Sequence, residues 1–192
     1  MPPRSGDKWQ GKPAATGNGK MPMFRRKQNR LPPEAYIGRH WYFITLNAED
    51  GQPVVGRGHV VALLLDTLRA ACVKHAFDIY AYCFMPDHIH IEPVGLASKS
   101  ELSEFMRTWK GTSTVPLRGL GLNDPLQKGF YDHILRPDDN QDAVAWYIFN
   151  NPVRNGLVKD ARDWPFSGSW MFDWRRAVAP PEEFVPPWKM AG

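Results

Sequence analysis

The chain has 192 residues, of which 43% are hydrophobic, and its formal net charge is +4. This length suits one globular domain with tails, and the apolar fraction excludes a wholly disordered protein. Two cysteines, Cys72 and Cys83, are too few for a disulfide framework or a cysteine-based zinc site, which is typical of a reduced, cytoplasmic protein. We expect neither a membrane span nor a secretory signal, because no apolar run has the required length or position.

The basic residues are concentrated at the start of the chain. Residues 1–38 hold eight of the 24 lysines and arginines but only two acidic residues, so the remainder of the chain carries −2. We therefore expect a basic, Gly/Pro-rich flexible leader over residues 1–37. This composition is typical of a nucleic-acid-binding arm. It also suits a solubilising tail or an expression remnant, and the composition does not choose between them.

The first half of the predicted domain alternates strands with one helix. An aromatic and β-branched segment predicts a strand over 39–47, and apolar spacing predicts a helix over 60–75. A second strand is expected over 78–84. It leads through a proline turn into a third strand over 88–94.

The second half predicts a helix beginning near Ser100, loop structure over 111–128, a strand over 129–135 and a last helix from Asp138 towards Pro152. The order β-α-β-β-α-β-α indicates an α+β fold. It is that of a ferredoxin-like sandwich, an antiparallel sheet with helices packed on one face. We expect the folded domain to span 38–170 and a Pro-rich tail to follow over 171–192.

The third predicted strand carries a histidine pair. Because successive side chains of a strand point to opposite faces, His88, His90 and Glu92 should share one face, with Ile89 and Ile91 on the other. Two imidazoles on a rigid strand suit a metal ion. A His-x-His pair is, however, also found on the solvent face of half-buried sheets, so the pattern alone leaves both interpretations open.

The last predicted helix carries a second polar pair. Tyr147 and Asn151 are four residues apart, which places a phenol and an amide on one helix face. Pro152 disfavours helix at the residue before it, so Asn151 should lie at or near the helix end. Without further context, a tyrosine such as Tyr147 is more often a core aromatic and an asparagine such as Asn151 more often a helix terminator.

Four segments of the chain form a recognisable series. They are Met85-Pro-Asp-His-Ile-His90, Phe105-Met-Arg-Thr-Trp-Lys-Gly111, Gly129-Phe-Tyr-Asp-His-Ile-Leu-Arg136 and Tyr147-Ile-Phe-Asn-Asn-Pro-Val-Arg-Asn-Gly-Leu-Val158. Their order is that of single-tyrosine HUH (IS200-like) transposases, and the chain resembles the branch of REP-associated tyrosine transposases over about residues 38–170.

This resemblance implies a reaction and a site. His88, His90 and Asn151 would bind a divalent cation, and the Tyr147 oxygen would attack a phosphate of single-stranded or hairpin DNA next to palindromic repeats. The products would be a 5′-phosphotyrosine link and a free 3′-hydroxyl, with no nucleotide cofactor. Ligand softness favours zinc or manganese, whereas the resemblance implies Mg²⁺ or Mn²⁺, which we adopt. The protein would be cytoplasmic and nucleoid-associated, as a monomer or homodimer.

Two positions depart from the family pattern. Asp87 stands where asparagine is common, which keeps a short polar acceptor. Glu92 stands where the family tends to be apolar. We interpret it as an exposed strand end, with an extra or second-shell metal ligand as the alternative.

Basic residues that could contact DNA phosphates lie along the domain, although each is also compatible with a solvated surface charge. They are Arg39, Arg107, Lys110, Arg136 and Arg154. The metal, Arg154 or a water could assist deprotonation of Tyr147. Two rival functions remain, a domesticated hairpin-binding protein without productive cleavage and a metal-dependent phosphoesterase that forms no covalent intermediate.

Overall fold

The computed structural model describes residues 32–186, and its centre is a five-stranded sheet in which every neighbouring pair is antiparallel. The spatial order is β4-β1-β3-β2-β5. The strands are β1 (Tyr42–Asn47), β2 (Phe77–Phe84), β3 (His88–Gly95), β4 (Tyr131–Ile134) and β5 (Ser167–Gly168). β3, the histidine strand, is therefore the middle strand of the sheet.

Four α-helices connect and cover these strands in the described part of the chain. They are α1 (Gly58–His75), α2 (Leu102–Gly119), α3 (Gln141–Phe149) and α4 (Asn151–Arg154). Short 3₁₀ turns occur at Pro33–Tyr36, Glu49–Gly51 and Ala161–Asp163. The α+β class and the predicted order of the first seven elements are confirmed, and β5 is a two-residue addition at the edge.

One face of the sheet packs on α1 and α2. Ile44, Ile89 and Ile91 point into this layer, where Trp109 is fully buried and its indole N–H donates to the carbonyl of Leu64. The histidine strand therefore directs its isoleucines into the main core, as the alternating pattern predicted.

The opposite face packs on α3, which corrects the prediction that all helices lie on one side. Phe43, Ala81 and Cys83 on this face are apolar and contact the α3 layer. The helix itself is buried on nearly all sides, and Trp174 from the C-terminal segment stacks on Phe149 with ring centroids 4.2 Å apart. A helix that is apolar all round must be covered on both sides, so it lies between the sheet and the C-terminal segment.

α2 is longer than predicted, because residues 111–119 are helical rather than loop-like. The buried face of α2 continues into this segment, where Ser113 and Leu117 are both buried. The Ser113 hydroxyl donates to the carbonyl of Trp109 at 2.8 Å, which is compatible with a helical backbone. Pro116 lies inside the last turn, where the helix ends soon afterwards.

The folded unit also takes in residues at both ends of the predicted domain. Tyr36 is buried in the main core, and Ile37 forms an isolated bridge with Glu101. At the other end, Trp174 is only 2% exposed. Most of the predicted leader and the last six residues lie outside the described residues.

Candidate active site

The two histidines lie side by side on β3 on the face that α3 covers. Their ring centroids are 4.8 Å apart with the planes nearly perpendicular. His90 is buried, and the side chain of His88 keeps 13% of its surface exposed. The predicted shared face is therefore observed, and the site opens towards solvent at His88.

Each histidine is oriented through its Nδ1 atom. Nδ1 of His88 lies 2.7 Å from a carboxylate oxygen of Asp87, and Nδ1 of His90 lies 2.9 Å from the hydroxyl of Thr45. A histidine that donates its Nδ1 proton to such a partner directs its Nε2 lone pair away from it, which is the arrangement of metal-ligating histidines. Both Nε2 atoms thus become available on the same side of the strand.

The charge state of His90 suits this role. Burial, followed by the charges of His88 and Arg154, holds the pKa of His90 well below its usual range. The imidazole is therefore neutral at neutral pH, and the neutral ring is the form that binds a metal ion.

The turn that leads into His88 is held by close backbone packing. The amide of Val55 donates to the carbonyl of Pro86, and the amide of Ala48 donates to that of Asp87. A Cβ at Gly56 would lie 2.9 Å from the Cα of Pro86. Only glycine permits this approach without a backbone shift, so the loop before α1 supports the end of the histidine strand.

Tyr147 and Asn151 lie on one face of the helical segment that crosses from α3 into α4. The amide of Asn150 donates to the carbonyl of Trp146, and the amide of Arg154 donates to that of Asn150. Helical hydrogen bonding therefore continues across the junction despite Pro152. One stripe of this helical segment consequently carries Tyr147, Asn151 and Arg154, which occupy positions i, i+4 and i+7.

Asn151 reaches the histidine pair. Its Nδ2 atom lies 3.5 Å from Nε2 of His88, and its Oδ1 accepts a hydrogen bond from Nδ2 of Asn155 at 2.6 Å. An amide oxygen has two lone pairs, so this hydrogen bond leaves one available. His88, His90 and Asn151 are thus brought together as predicted. Two imidazole nitrogens and an amide oxygen are ligand types that a divalent cation accepts, but the Asn151 atom that faces His88 is the amide nitrogen, and residues 32–186 hold no cluster of three or more His, Cys, Asp or Glu side chains suited to a metal.

The Tyr147 ring has an aromatic and cationic environment. The guanidinium carbon of Arg154 lies 3.8 Å from its centroid. The rings of Phe43, His90 and Phe184 surround it, with centroid distances of 5.9, 6.3 and 5.5 Å respectively. Tyr147 therefore lies next to the histidine site, partly covered by the C-terminal segment.

Glu92 is not the exposed strand end that the sequence suggested. It is 0% exposed, and neither carboxylate oxygen has a hydrogen-bond partner among the described residues. Burial, reinforced by the charge of Asp142, raises the pKa of Glu92 well above its usual range. The prediction failed because α3 covers this face, and the alternation of a strand does not show which face another element will cover.

The predicted DNA-contacting residues are dispersed over the domain. Arg107 and Lys110 belong to α2, on the opposite side of the sheet from Tyr147, where Arg107 pairs with Glu104 and the Lys110 ammonium donates to backbone carbonyls of the 122–130 loop. Arg39 and Arg136 are exposed at the ends of other elements. Of the five, Arg154 lies against Tyr147.

Sequence reasoning missed three residues that support the site. Thr45 orients His90, Asn155 orients Asn151, and Phe184 packs on Tyr147. The i, i+4 spacing of the two asparagines was a visible signal. The other two contacts join distant segments and had no local signal.

An antiparallel α+β domain whose middle strand presents two histidines to a tyrosine-bearing helix is the arrangement that the resemblance to single-tyrosine transposases implies. Residues 48–124 match a family described as IS200-like transposases, a range that includes both histidines but ends before Tyr147. A REP-associated tyrosine transposase of Escherichia coli K12 is 26% identical over 151 residues, covering 72% of this chain and 87% of the relative.

Two further comparisons agree. A REP-associated tyrosine transposase assigned in Haemophilus influenzae Rd is 28% identical over 111 residues, covering 52% of this chain and 62% of the relative. A solved structure of a REP-associated tyrosine transposase bound to a REP hairpin has a TM-score of 0.63 at 23% identity, covering 83% of this chain and 99% of that one. The similarity to this solved structure supports the α+β fold described above. The chain is thus similar to IS200-like transposases over residues 48–124 and to REP-associated tyrosine transposases over 72% of its length.

Within residues 32–186 no helix combines the length and hydropathy that crossing a bilayer requires.

Proposed function

We propose that this protein is a DNA transposase that nicks single-stranded DNA through a covalent bond to Tyr147 and then transfers the strand, acting on hairpins of palindromic repeats. The observation that carries the proposal is the convergence of two distant segments. Asn151 reaches His88, and Tyr147 lies beside His90 on the same helical stripe. A nucleophile next to a set of cation ligands is what phosphoryl transfer requires.

His88, His90 and Asn151 would hold the divalent cation, and Mg²⁺ or Mn²⁺ suits a site that offers no thiolate. When bound, the cation supplies positive charge at the scissile phosphate. Asp87 and Thr45 hold the imidazoles in the orientation that this role needs.

Tyr147 would act as the nucleophile. Its oxygen forms a bond to phosphorus while the bond between phosphorus and the 3′ oxygen breaks. The phenol proton leaves to solvent and the departing 3′ oxygen takes one up. The product is a 5′-phosphotyrosine link, in which the phosphodiester energy is conserved. A 3′-hydroxyl can therefore reverse the step and join strands without a nucleotide cofactor.

The hairpin substrate is proposed from the relatives, whose names associate them with REP sequences, and one of which was solved with a REP hairpin. Arg39, Arg107, Lys110 and Arg136 are proposed phosphate contacts, of which Arg39 and Arg136 are exposed. A nucleoid-associated location in the cytoplasm follows from this substrate, as a monomer or a homodimer. Glu92 is proposed as a buried neutral group behind the site rather than a ligand.

The test is a covalent trap. The full chain is incubated with 5′- and 3′-labelled repeat hairpins and Mn²⁺ or Mg²⁺, and the products are separated on a denaturing gel. We expect a protein–DNA adduct that carries the 3′-side fragment and that Tyr147→Phe abolishes. Binding without any adduct on the cognate hairpin would indicate the binding-only function. Cleavage that persists in Tyr147→Phe without an adduct would indicate a non-covalent phosphoesterase.

A further inference from the structure

Arg154 covers one side of the Tyr147 ring. Its guanidinium carbon lies 3.8 Å from the ring centroid, well inside the distance of about 6 Å at which a cation is attracted to an aromatic face. The two residues are seven positions apart, and the helical hydrogen bonding across the α3–α4 junction keeps them on the same face. The contact is therefore a product of the local backbone.

The charge of Arg154 is not neutralised by a direct ion pair. Most other arginines with a short-range partner bind a carboxylate: these are Arg107, Arg118, Arg162 and Arg176. Among residues 32–186, no carboxylate lies within ion-pair distance of Arg154. Its positive charge lies against the Tyr147 ring, and Glu183 is an acidic neighbour beyond ion-pair distance.

Other aromatic rings also contact Tyr147. Phe43 and Phe184 approach Tyr147 edge-on, with interplanar angles of 71° and 83°. These contacts restrict the ring but offer no charge to the phenol oxygen. Arg154 is therefore the cationic neighbour that can both hold the ring and respond to charge on its oxygen.

We propose that Arg154 is a positioning residue for the nucleophile, which holds the Tyr147 ring and offsets the negative charge on its oxygen during attack and release. This inference rests on the proposed function of Tyr147. It assigns the guanidinium to the Tyr147 ring rather than to a DNA phosphate, and the affinity measurement below distinguishes the two roles. The same oxygen attacks in cleavage and departs in rejoining, so Arg154 should accelerate both directions equally.

Activity provides the first test. We compare the full-length wild type with Arg154→Ala, Arg154→Lys and, as a matched loss of a surface arginine, Arg118→Ala. Single-turnover rates of adduct formation and of rejoining are measured with saturating hairpin and Mn²⁺. We expect Arg154→Ala to slow both rates by a similar factor of roughly 10 to 30, while their ratio stays unchanged. Lysine should restore part of the rate, and Arg118→Ala should match the wild type.

Two further measurements separate positioning from DNA contact. Hairpin affinity is measured in a Tyr147→Phe background with and without Arg154→Ala, and we expect a change of less than about twofold. Added guanidinium ion should partly rescue Arg154→Ala relative to an equal concentration of potassium chloride. A loss of affinity with an unchanged saturating rate, or no effect on either, would overturn the proposal.

A spectroscopic readout remains valid even if no adduct forms. Protein labelled with 3-fluorotyrosine gives a ¹⁹F signal for Tyr147 that is assigned by its absence in Tyr147→Phe. We expect Arg154→Ala to shift and broaden this signal, and Arg154→Lys to do so less. Absence of the adduct in the wild type would refute the proposed function alone. An unchanged Tyr147 signal in Arg154→Ala would refute the positioning role.

Discussion

The hydroxyl of Thr45 on β1 lies 2.9 Å from Nδ1 of His90 on β3, because the two residues are direct partners in the antiparallel register. Thr45 belongs to none of the sequence motifs described above, yet it contacts the buried histidine of the candidate site. It occupies Nδ1 of His90 and leaves Nε2 as the nitrogen that is not bound to Thr45. A strand pairing thus sets the chemistry of the imidazole.

Replacement of Thr45 should weaken metal binding. Thr45→Val keeps the shape of the side chain but removes the hydroxyl, so we expect Mn²⁺ affinity to fall by roughly 10- to 100-fold, as for other partners of metal-bound histidines. Isothermal titration calorimetry measures the affinity. Thr45→Ser retains the hydroxyl and is the control. Equal Mn²⁺ affinity in Thr45→Val and wild type would show that the hydrogen bond does not orient a ligand.

The buried Glu92 should make the folded protein less stable as the pH rises. Its raised pKa means that the folded state keeps a proton that the unfolded state releases above a pH of about 4.3. Stability should therefore fall above that pH, by up to about 1.4 kcal/mol per pH unit, until the folded-state pKa is passed.

The variant Glu92→Gln should remove this dependence, because a neutral amide occupies the same volume. Urea unfolding between pH 5 and 9 measures it, with the exposed Glu49→Gln as control. We expect the stability of Glu92→Gln relative to the wild type to increase with pH. Parallel pH profiles of the two proteins would mean that Glu92 is paired or ionised in solution.

The C-terminal segment should contribute to the stability of the domain. Trp174 is buried and stacks on Phe149 of α3, so Trp174→Ala should cost about 3–5 kcal/mol. Val178, four residues later, is 89% exposed, and Val178→Ala should change stability by less than about 0.5 kcal/mol. Chemical denaturation compares them. A small effect of Trp174→Ala would indicate that this segment is detached from the domain in solution.

The basic leader has the composition of a nucleic-acid-binding arm and also of a solubilising tail, and the salt dependence of DNA binding distinguishes the two. Deletion of residues 2–31, which preserves the buried Tyr36, should reduce the slope of log affinity against log salt by about 0.7 for each phosphate of single-stranded DNA that the leader neutralises. Fluorescence anisotropy with a labelled hairpin provides the slope. A full-length variant with the leader lysines and arginines changed to glutamine separates charge from length. An unchanged slope in both variants would mean that the leader binds no phosphates.

Local periodicity was sufficient to predict several features of the site. The alternation of β3 placed His88 and His90 on one face, and the four-residue spacing of the helix placed Tyr147 beside Asn151. The order of the first seven elements followed from apolar spacing and turn residues in the same way. These features involve neighbours within a turn or two of one segment.

Periodicity was insufficient wherever an outcome depended on how segments pack. The six buried residues of α3 lie on every side of the helix, so its pattern did not show which sheet face it covers. The burial of Glu92 followed from that placement and was predicted wrongly. The extension of α2 was missed because serine and threonine disfavour helix locally, although here they bond to carbonyls one turn back.

The sequence by itself determined the two halves of the site, a histidine strand and a tyrosine helix, because each half is specified by the repeat of its own backbone. Only the tertiary structure decided that Asn151 meets His88 across 63 residues and that Thr45 and Phe184 complete the surroundings. The physical reason is that such contacts arise from strand register and the burial of apolar faces, which depend on the whole chain.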